Sequence, residues 1–137
     1  MKKVLILLLA MVAMTMQAQD IIDMNRNFNL SGKCVLYTKT KAPQPTDKGD
    51  YRWELKNSTA TGENFVTLTM YDADGHAFDS ASFHDGIIVF MMKDEKDGTK
   101  SIYVNDDTFS HLRIYEIEKD TYCVHLYSSL IADYQEQ

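Results

Sequence analysis

Cysteine is scarce in this sequence, since the 137 residues contain only Cys34 and Cys123. Two cysteines cannot build a disulfide-dense scaffold, and without a Cys-x-x-Cys pair there is no signature of a zinc or dithiol redox site. In an oxidising compartment two thiols usually form a bridge, so we expect a Cys34–Cys123 disulfide. Two separate buried thiols are the alternative.

The common catalytic motifs are also missing. The chain has no G-x-S-x-G, no H-E-x-x-H and no phosphate-binding glycine loop. The sequence therefore points to no catalytic residue, no metal ligand set and no cofactor. An enzyme built on a β-barrel is accordingly the least favoured class of function.

Basic residues are too few for a nucleic-acid-binding protein. The chain has 14 Lys and Arg against 20 Asp and Glu. Removing residues 1–18 takes away Lys2 and Lys3, which leaves 12 basic against 20 acidic residues, a net charge of −8. Nucleic acid and anionic membrane surfaces both require positive charge, so neither is expected as a partner.

A long apolar run occurs only at the N-terminus. Val4 to Met14 is apolar, follows Lys2 and Lys3, and is too short to span a bilayer comfortably. With the small residue Ala18 at a cleavage position, residues 1–18 have the composition of a secretory signal peptide. We therefore expect an exported bacterial protein, periplasmic or secreted, without membrane insertion after cleavage.

The rest of the chain is typical of one all-β domain. Residues 19–32 are predicted to be an N-terminal arm, and residues 33–137 a single domain. Both prolines lie in the segment 40–50, which is predicted to be a loop, as is 57–64. A short helix is predicted in the tail after Ser128. Period-two alternation and β-branched and aromatic residues predict eight strands: 33–39, 51–56, 65–71, 76–83, 87–93, 101–105, 112–118 and 121–127.

Three Asp-Gly pairs, which end at Gly75, Gly86 and Gly98, separate successive strands and predict three tight hairpins. A three-residue loop with glycine last at each turn brings the apolar residues to one face. In this register Phe78 lies opposite Met70, and Phe90 and Met92 lie opposite Val104 and Ile102. The predicted core face consists of Val66, Leu68, Met70, Phe78, Ile88, Phe90, Met92, Ile102 and Val104.

Acidic residues and histidines are concentrated in "YDADGHAFDSASFHDGII", residues 71–88. His76 and His84 are eight residues apart, about 25 Å along one strand, which is too far to share an ion. The segment also lacks the later ligands of a calcium-binding EF-hand loop. We interpret it as turn, strand and turn. His111 and His125 can approach each other at one end of the last hairpin, without a recognisable third ligand.

Eight strands in chain order favour an antiparallel meander that closes as an up-and-down barrel. Cys34 in the first strand and Cys123 in the last would then be neighbours across the seam. A two-sheet β-sandwich is the alternative. The outline is similar to that of lipocalin-like barrels, although Gly-x-Trp is missing near the first strand and no family is assigned.

These features predict a non-enzymatic binding module for a small apolar ligand or a protein partner. The alternative is a protein-binding inhibitor or interaction scaffold with a filled core. The stiff loop 40–50, with Pro43 and Pro45, is a candidate binding rim. The candidate ligand-binding residues are Tyr37, Trp53, Phe78, Phe90 and Met92.

Overall fold

A computed structural model describes residues 19–24, 26–40, 42–58, 64–84, 86–106 and 110–128. The predicted signal peptide and tail helix lie outside these residues. The described chain is all-β, with one 3₁₀ turn at Pro45–Asp47. Its nine strands are β1 (Gln19–Ile21), β2 (Asn29–Thr38), β3 (Lys48–Ser58), β4 (Phe65–Tyr71), β5 (Ala77–Phe83), β6 (Ile88–Lys93), β7 (Lys100–Asn105), β8 (Ser110–Glu118) and β9 (Thr121–Ser128).

The nine strands form one mixed sheet in the order β1-β6-β7-β8-β9-β2-β3-β4-β5. Strands β2 to β5 form one antiparallel meander and β6 to β9 form another. The two meanders are joined by β2 and β9, which pair in parallel. The prediction of a purely antiparallel meander is therefore wrong at this seam. β1, from the predicted arm, adds a ninth strand beside β6.

The sheet is strongly curved. β5 and β6 are seven strand spacings apart in the sheet order, about 34 Å in a flat sheet. The chain from Phe83 to Ile88 can span at most about 18 Å, so the sheet must fold back on itself. A hydrogen bond of 2.7 Å from Tyr37 in β2 to Asp79 in β5 crosses the concave side. In the described residues β1 and β5 remain the two edges, and no pairing closes the sheet.

One hydrophobic core fills the concave side, which we call the inner face. The largest fully buried side chains come from both meanders, so the two halves share this core. They include Trp53, Leu55, Val66, Leu68, Met70, Phe83, Val89, Val104, Leu112, Ile114 and Val124.

The segment between β1 and β2 packs against the core with Ile22, Met24 and Phe28. Its backbone is held by Asn57, a buried polar side chain on β3. The Asn57 Oδ1 accepts from the Phe28 backbone N–H at 2.8 Å, and its Nδ2 donates to the carbonyls of Met24 and Arg26. One side chain thus satisfies three backbone groups of a segment that has no sheet partner there.

All three predicted turn glycines have positive φ, at 84° for Gly75, 70° for Gly86 and 77° for Gly98. At Gly75 the Asp72 N–H donates to the His76 carbonyl at 2.9 Å, which confirms the three-residue loop. At Gly98 the Asp94 N–H donates to the Thr99 carbonyl, so this loop has four residues. At Gly86 no hairpin forms, because β5 and β6 are not neighbours.

These differences correct four of the nine residues of the predicted core face. The four-residue loop shifts β6 by one residue, so Met91 rather than Met92 lies opposite Ile102, and Val89 rather than Phe90 lies opposite Val104. Ile88, Phe90 and Met92 therefore lie on the outer face. A bulge after Met70 likewise places Asp79, not Phe78, opposite Met70. The predictions for Val66, Leu68, Met70, Ile102 and Val104 are confirmed.

The predicted disulfide is also wrong, although its two strands are neighbours. Both thiols are free and buried. Cys34 lies opposite Tyr122 and belongs to the core, whereas Cys123 lies opposite Leu36, outside the core cluster. The two side chains thus lie on opposite faces of the sheet, and their Cβ vectors point apart.

In the described ranges no helix is long and apolar enough to cross a membrane.

Candidate binding face

The five predicted ligand-binding residues fall into two groups. Tyr37, Trp53 and Phe78 lie on or beside the inner face, where the ring of Phe78 contacts Tyr37 at a centroid distance of 6.0 Å. Phe90 and Met92 lie on the outer face, next to strand β1. The structure therefore does not bring all five together.

Trp53 is part of the filled core and only 1% exposed. Its indole meets the ring of Tyr122 edge to face, with centroids 5.2 Å apart. A Cβ atom at Gly32 would come within 2.8 Å of the Trp53 Nε1 and 3.0 Å of the Tyr122 ring. Glycine at position 32 therefore makes the room that both aromatic side chains occupy.

Tyr37 belongs to a polar cluster at one end of the core. Its hydroxyl donates to Asp79 Oδ2 at 2.7 Å, and the Lys39 Nζ lies 2.7 Å from the same oxygen. Partial burial opposes ionisation of Asp79, but the hydrogen bonds from Lys39 and Tyr37 outweigh it and lower the pKa of this carboxyl group. Burial and the bond to Asp79 raise the pKa of Tyr37. Asp79 is thus held ionised between two donors.

A second set of side chains forms a row across the outer face, which the sequence pattern did not bring together although it singled out Phe90 and His125. Ile21, Phe90, Tyr103, Arg113 and His125 lie opposite one another on β1, β6, β7, β8 and β9. We call these five residues the outer row. They run from aliphatic through aromatic to polar, so the row has an apolar end at β1 and, at β8 and β9, an end that carries the positive charge of Arg113.

The rings of the outer row are packed against each other. Phe90 and Tyr103 stack with centroids 4.9 Å apart and planes 10° from parallel. The Arg113 guanidinium lies 5.6 Å from the Tyr103 ring centroid and 4.5 Å from that of Tyr115. Cation–π contacts of this kind hold a guanidinium in one orientation.

Exposed aliphatic side chains surround the apolar end of the row. Ile21 is 74% exposed, Ile88 52% and Met92 37%. All three lie on the outer face of β1 and β6, beside Phe90. A cluster of exposed apolar side chains on one face is typical of an interaction surface.

The cationic end of the row opens into a shallow groove of about 260 Å³, lined by Tyr103, Asn105, His111, Leu112, Arg113 and His125. The His111 Nδ1 lies 2.8 Å from the Asn105 Oδ1. Burial lowers the pKa of His125, a hydrogen bond to the backbone of Thr40 opposes this change, and nearby Arg113 adds to it. His111 and His125, which the sequence placed at one end of the last hairpin, both line this groove.

The predicted binding rim begins beside His125, one of the residues that line the groove. Thr38, at the end of β2, lies opposite His125. Its hydroxyl is 2.9 Å from that of Thr40, the first residue of the loop. The loop also carries its own cap, since the Gln44 N–H donates to the Asp47 Oδ2 at 2.6 Å. Part of the 40–50 segment is strand, because β3 begins at Lys48.

The acidic turn at residues 72–76 brings ligand atoms of Asp72, Asp74 and His76 within 4.8 Å of one another. The Asp72 Oδ1 already accepts the backbone N–H groups of Asp74 and His76, at 3.0 and 2.9 Å. This carboxylate therefore shapes the turn that the sequence predicted at Asp74–Gly75. His84 lies at the far end of β5, where its ring contacts Phe65.

The two thiols are chemically quiet. Burial raises the pKa of Cys34 to about 11, and backbone hydrogen bonding at Leu36 and Val124 offsets this rise only in part. In the thiol form the Sγ–H donates to the Leu36 carbonyl at 3.0 Å. Burial also raises the pKa of Cys123, which lies opposite Tyr115 on the outer face of the sheet. Neither thiol has the low pKa of a nucleophilic cysteine.

No known protein family, curated protein or solved structure matches this chain.

Proposed function

We propose that this protein is an exported binding module that recognises a protein partner through the outer row and the apolar side chains beside it. The observation that carries this proposal is the exposure of Ile21, Ile88 and Met92 on one face, around the stacked rings of Phe90 and Tyr103. Burying such a patch against a partner releases water from apolar surface, which is the main driving force of protein association.

The filled core supports this choice over an internal carrier. Trp53 and Phe83, two of the largest core side chains, are each 1% exposed and pack with the aliphatic residues of both meanders. The space that a carrier needs for its ligand is therefore taken by side chains at these positions.

Ring geometry favours a protein over a sugar as the partner. A sugar stacks on the open face of an aromatic ring, but Phe90 and Tyr103 cover each other and Arg113 covers faces of Tyr103 and Tyr115. The aliphatic neighbours Ile21 and Ile88 suit apolar side chains of a protein instead. The loop that begins at Thr40 is the proposed rim at the β9 side of this surface.

A small apolar ligand at the end of the core is the second candidate. Phe78 is 47% exposed and contacts the rings of Tyr37 and Tyr51. If the sheet closes as a barrel, rather than remaining open or forming a sandwich, these rings would stand at its mouth. Export to the periplasm or the medium, through cleavage of residues 1–18, is part of the same proposal.

Native mass spectrometry of the protein purified from its own host separates the two candidates. We expect the wild-type protein to retain a protein partner, Phe90→Ser and Ile21→Ser to lose it, and Phe78→Ser to keep it. Ile21 is an edge residue that is mostly exposed, so its variant tests binding even if Phe90→Ser proves unstable. Retention of a small molecule that only Phe78→Ser loses would contradict the proposal and support the second candidate.

A further inference from the structure

We infer that the groove at the cationic end of the outer row binds a carboxylate of the partner, from an acidic side chain that lies next to an apolar one. This inference rests on the proposed function and adds the chemistry of the partner. Arg113 is the cation of this groove. Arg26, Lys39 and Lys56 each lie within 4.0 Å of a carboxylate, whereas Arg113 makes no ion pair within the described ranges.

Arg113 is also held in place before any partner arrives. Its guanidinium lies over the rings of Tyr103 and Tyr115. Its backbone lies in β8, where Arg113 is opposite Tyr103 of β7 on one side and His125 of β9 on the other. A planar guanidinium can donate two parallel hydrogen bonds to one carboxylate, and a guanidinium already ordered by stacking loses less entropy when it does so.

The surroundings of Arg113 suit an anion. The groove places His111, His125 and Asn105 around the guanidinium, and its described lining contains no acidic residue. The chain as a whole carries a net charge of −6. An acidic partner group is therefore repelled by most of the surface and attracted to this groove, which gives the partner an orientation.

The position of the groove sets the rest of the motif. Arg113 lies opposite Tyr103, Tyr103 opposite Phe90 and Phe90 opposite Ile21, in one line across the strands. Arg113 and Phe90 are two strand spacings apart, about 10 Å. An extended partner segment crossing the strands would place an acidic side chain at Arg113 and an apolar side chain two to four residues away at Phe90.

Selection from a random peptide library displayed on phage tests this inference with the full-length mature protein. We expect wild-type protein to enrich peptides with Asp or Glu two to four residues from an aliphatic or aromatic residue. Arg113→Gln should enrich apolar peptides without the acidic residue. The best peptide, made synthetically, should bind Arg113→Gln at least tenfold more weakly, and its own Glu→Gln or Asp→Asn version should bind wild-type protein as weakly. In the Arg113→Gln variant, the Glu→Gln or Asp→Asn change in the peptide should weaken binding little further, because both changes remove the same ion pair.

The possible outcomes separate the two proposals. If the enriched peptides require Phe90 and Ile21 but carry no acidic residue, the inference of a carboxylate site is overturned, whereas the proposed protein-binding function is supported. A failure to enrich any peptide over the Phe90→Ser, Ile21→Ser double variant overturns both. Two further results also overturn the inference: a concentration-dependent dimer that Ile21→Ser abolishes, and peptide binding that appears only after deletion of residues 129–137. In these cases a second copy or the chain's own tail is the occupant.

Discussion

At the scale of single residues, Gly75 shows how backbone geometry fixes a turn. Its φ is 84°, and a Cβ atom at this position would meet nothing within 4 Å. The cost of a side chain here is therefore backbone strain alone, without a steric clash. The same holds at Gly98, whose φ is 77°.

We expect Gly75→Val to lower the free energy of unfolding by about 1–2 kcal/mol, because a β-branched residue is strained at positive φ. Gly75→Asn is the matched control, since asparagine tolerates this conformation, and should cost less than half as much. Urea denaturation followed by circular dichroism measures both. Equal losses in the two variants would show that the positive φ does not determine the cost.

Cys34 illustrates how burial changes the chemistry of a side chain. Its pKa rises from 9.0 to about 11 in the folded protein. The unfolded chain loses the thiol proton at the lower pH. The stabilisation that comes from the buried neutral thiol is therefore fully present below pH 9 and is lost as the pH rises toward 11. A difference of two pKa units corresponds to about 2–3 kcal/mol.

We therefore expect Cys34→Ala to lose less stability than wild type between pH 8.5 and 11, measured by urea denaturation at each pH. Cys34 is only the smallest of the causes that raise the pKa of Tyr37 and of Tyr115, so most of the difference between the two proteins comes from the thiol itself. In a Cys123→Ser background, iodoacetamide at pH 8.5 should modify Cys34 at least 100-fold more slowly than in urea. Rapid modification of the native protein would show that the thiol is accessible.

At the scale of elements, Asp79 connects strands that are not neighbours in the sheet. It lies on the edge strand β5 and binds Tyr37 and Lys39, in and just after β2. An inward-pointing charge and a nearby bulge are features that protect an edge strand from pairing with another chain. The cluster therefore both fixes the curvature and limits the use of the β5 edge.

The lowered pKa of Asp79 gives this connection a pH dependence. The folded state favours the ionised form of Asp79. The stabilisation from this carboxylate is therefore present above pH 3.8, the ordinary pKa of an aspartate, and is lost as the pH falls through the lower pKa of the folded protein. We expect wild type to exceed Asp79→Asn in stability by about 1–2 kcal/mol at pH 6, and by less at pH 3. Asp74→Asn, in an exposed turn, is the control for general charge effects. A difference that does not shrink in acid would contradict this role of the carboxylate.

At the scale of the whole molecule, the parallel pair β2–β9 holds the two meanders together. These strands are central in the sheet order, whereas β1 and β5 are edges. Local opening is easiest where a strand has one partner and a solvent-exposed backbone. Stability should therefore decrease from the centre of the sheet to both edges.

We expect amide hydrogen exchange, read by NMR or mass spectrometry, to be slowest in 33–38 and 121–126 and fastest in 19–21 and 77–83. The physical reason is that the central amides exchange only when the shared core opens. Protection in β5 equal to that in β9 would contradict an open edge, and would support closure of the sheet as a barrel.

The local sequence pattern by itself determined the fold class, the main strands and the conformation of the turn glycines. The all-β class, the eight main strands and the three positive-φ glycines follow from alternation, β-propensity and Asp-Gly pairs. Strand β4 was predicted with the correct inner face because its polar and apolar residues alternate, as in Leu68 and Met70 against Thr67 and Thr69.

The tertiary structure alone decided the features on which function depends. In "IVFMM" of β6 both faces are apolar, so no pattern could choose between Val89 and Phe90 for the core, and one extra loop residue moved Phe90 and Met92 outward. The parallel pairing of β2 with β9, and the crossing from β5 to β6, are contacts between residues far apart in the chain, which local periodicity does not encode. Phe90, Tyr103 and Arg113 therefore become one surface only when three strands pair, and Cys34 and Cys123 face apart for the same reason.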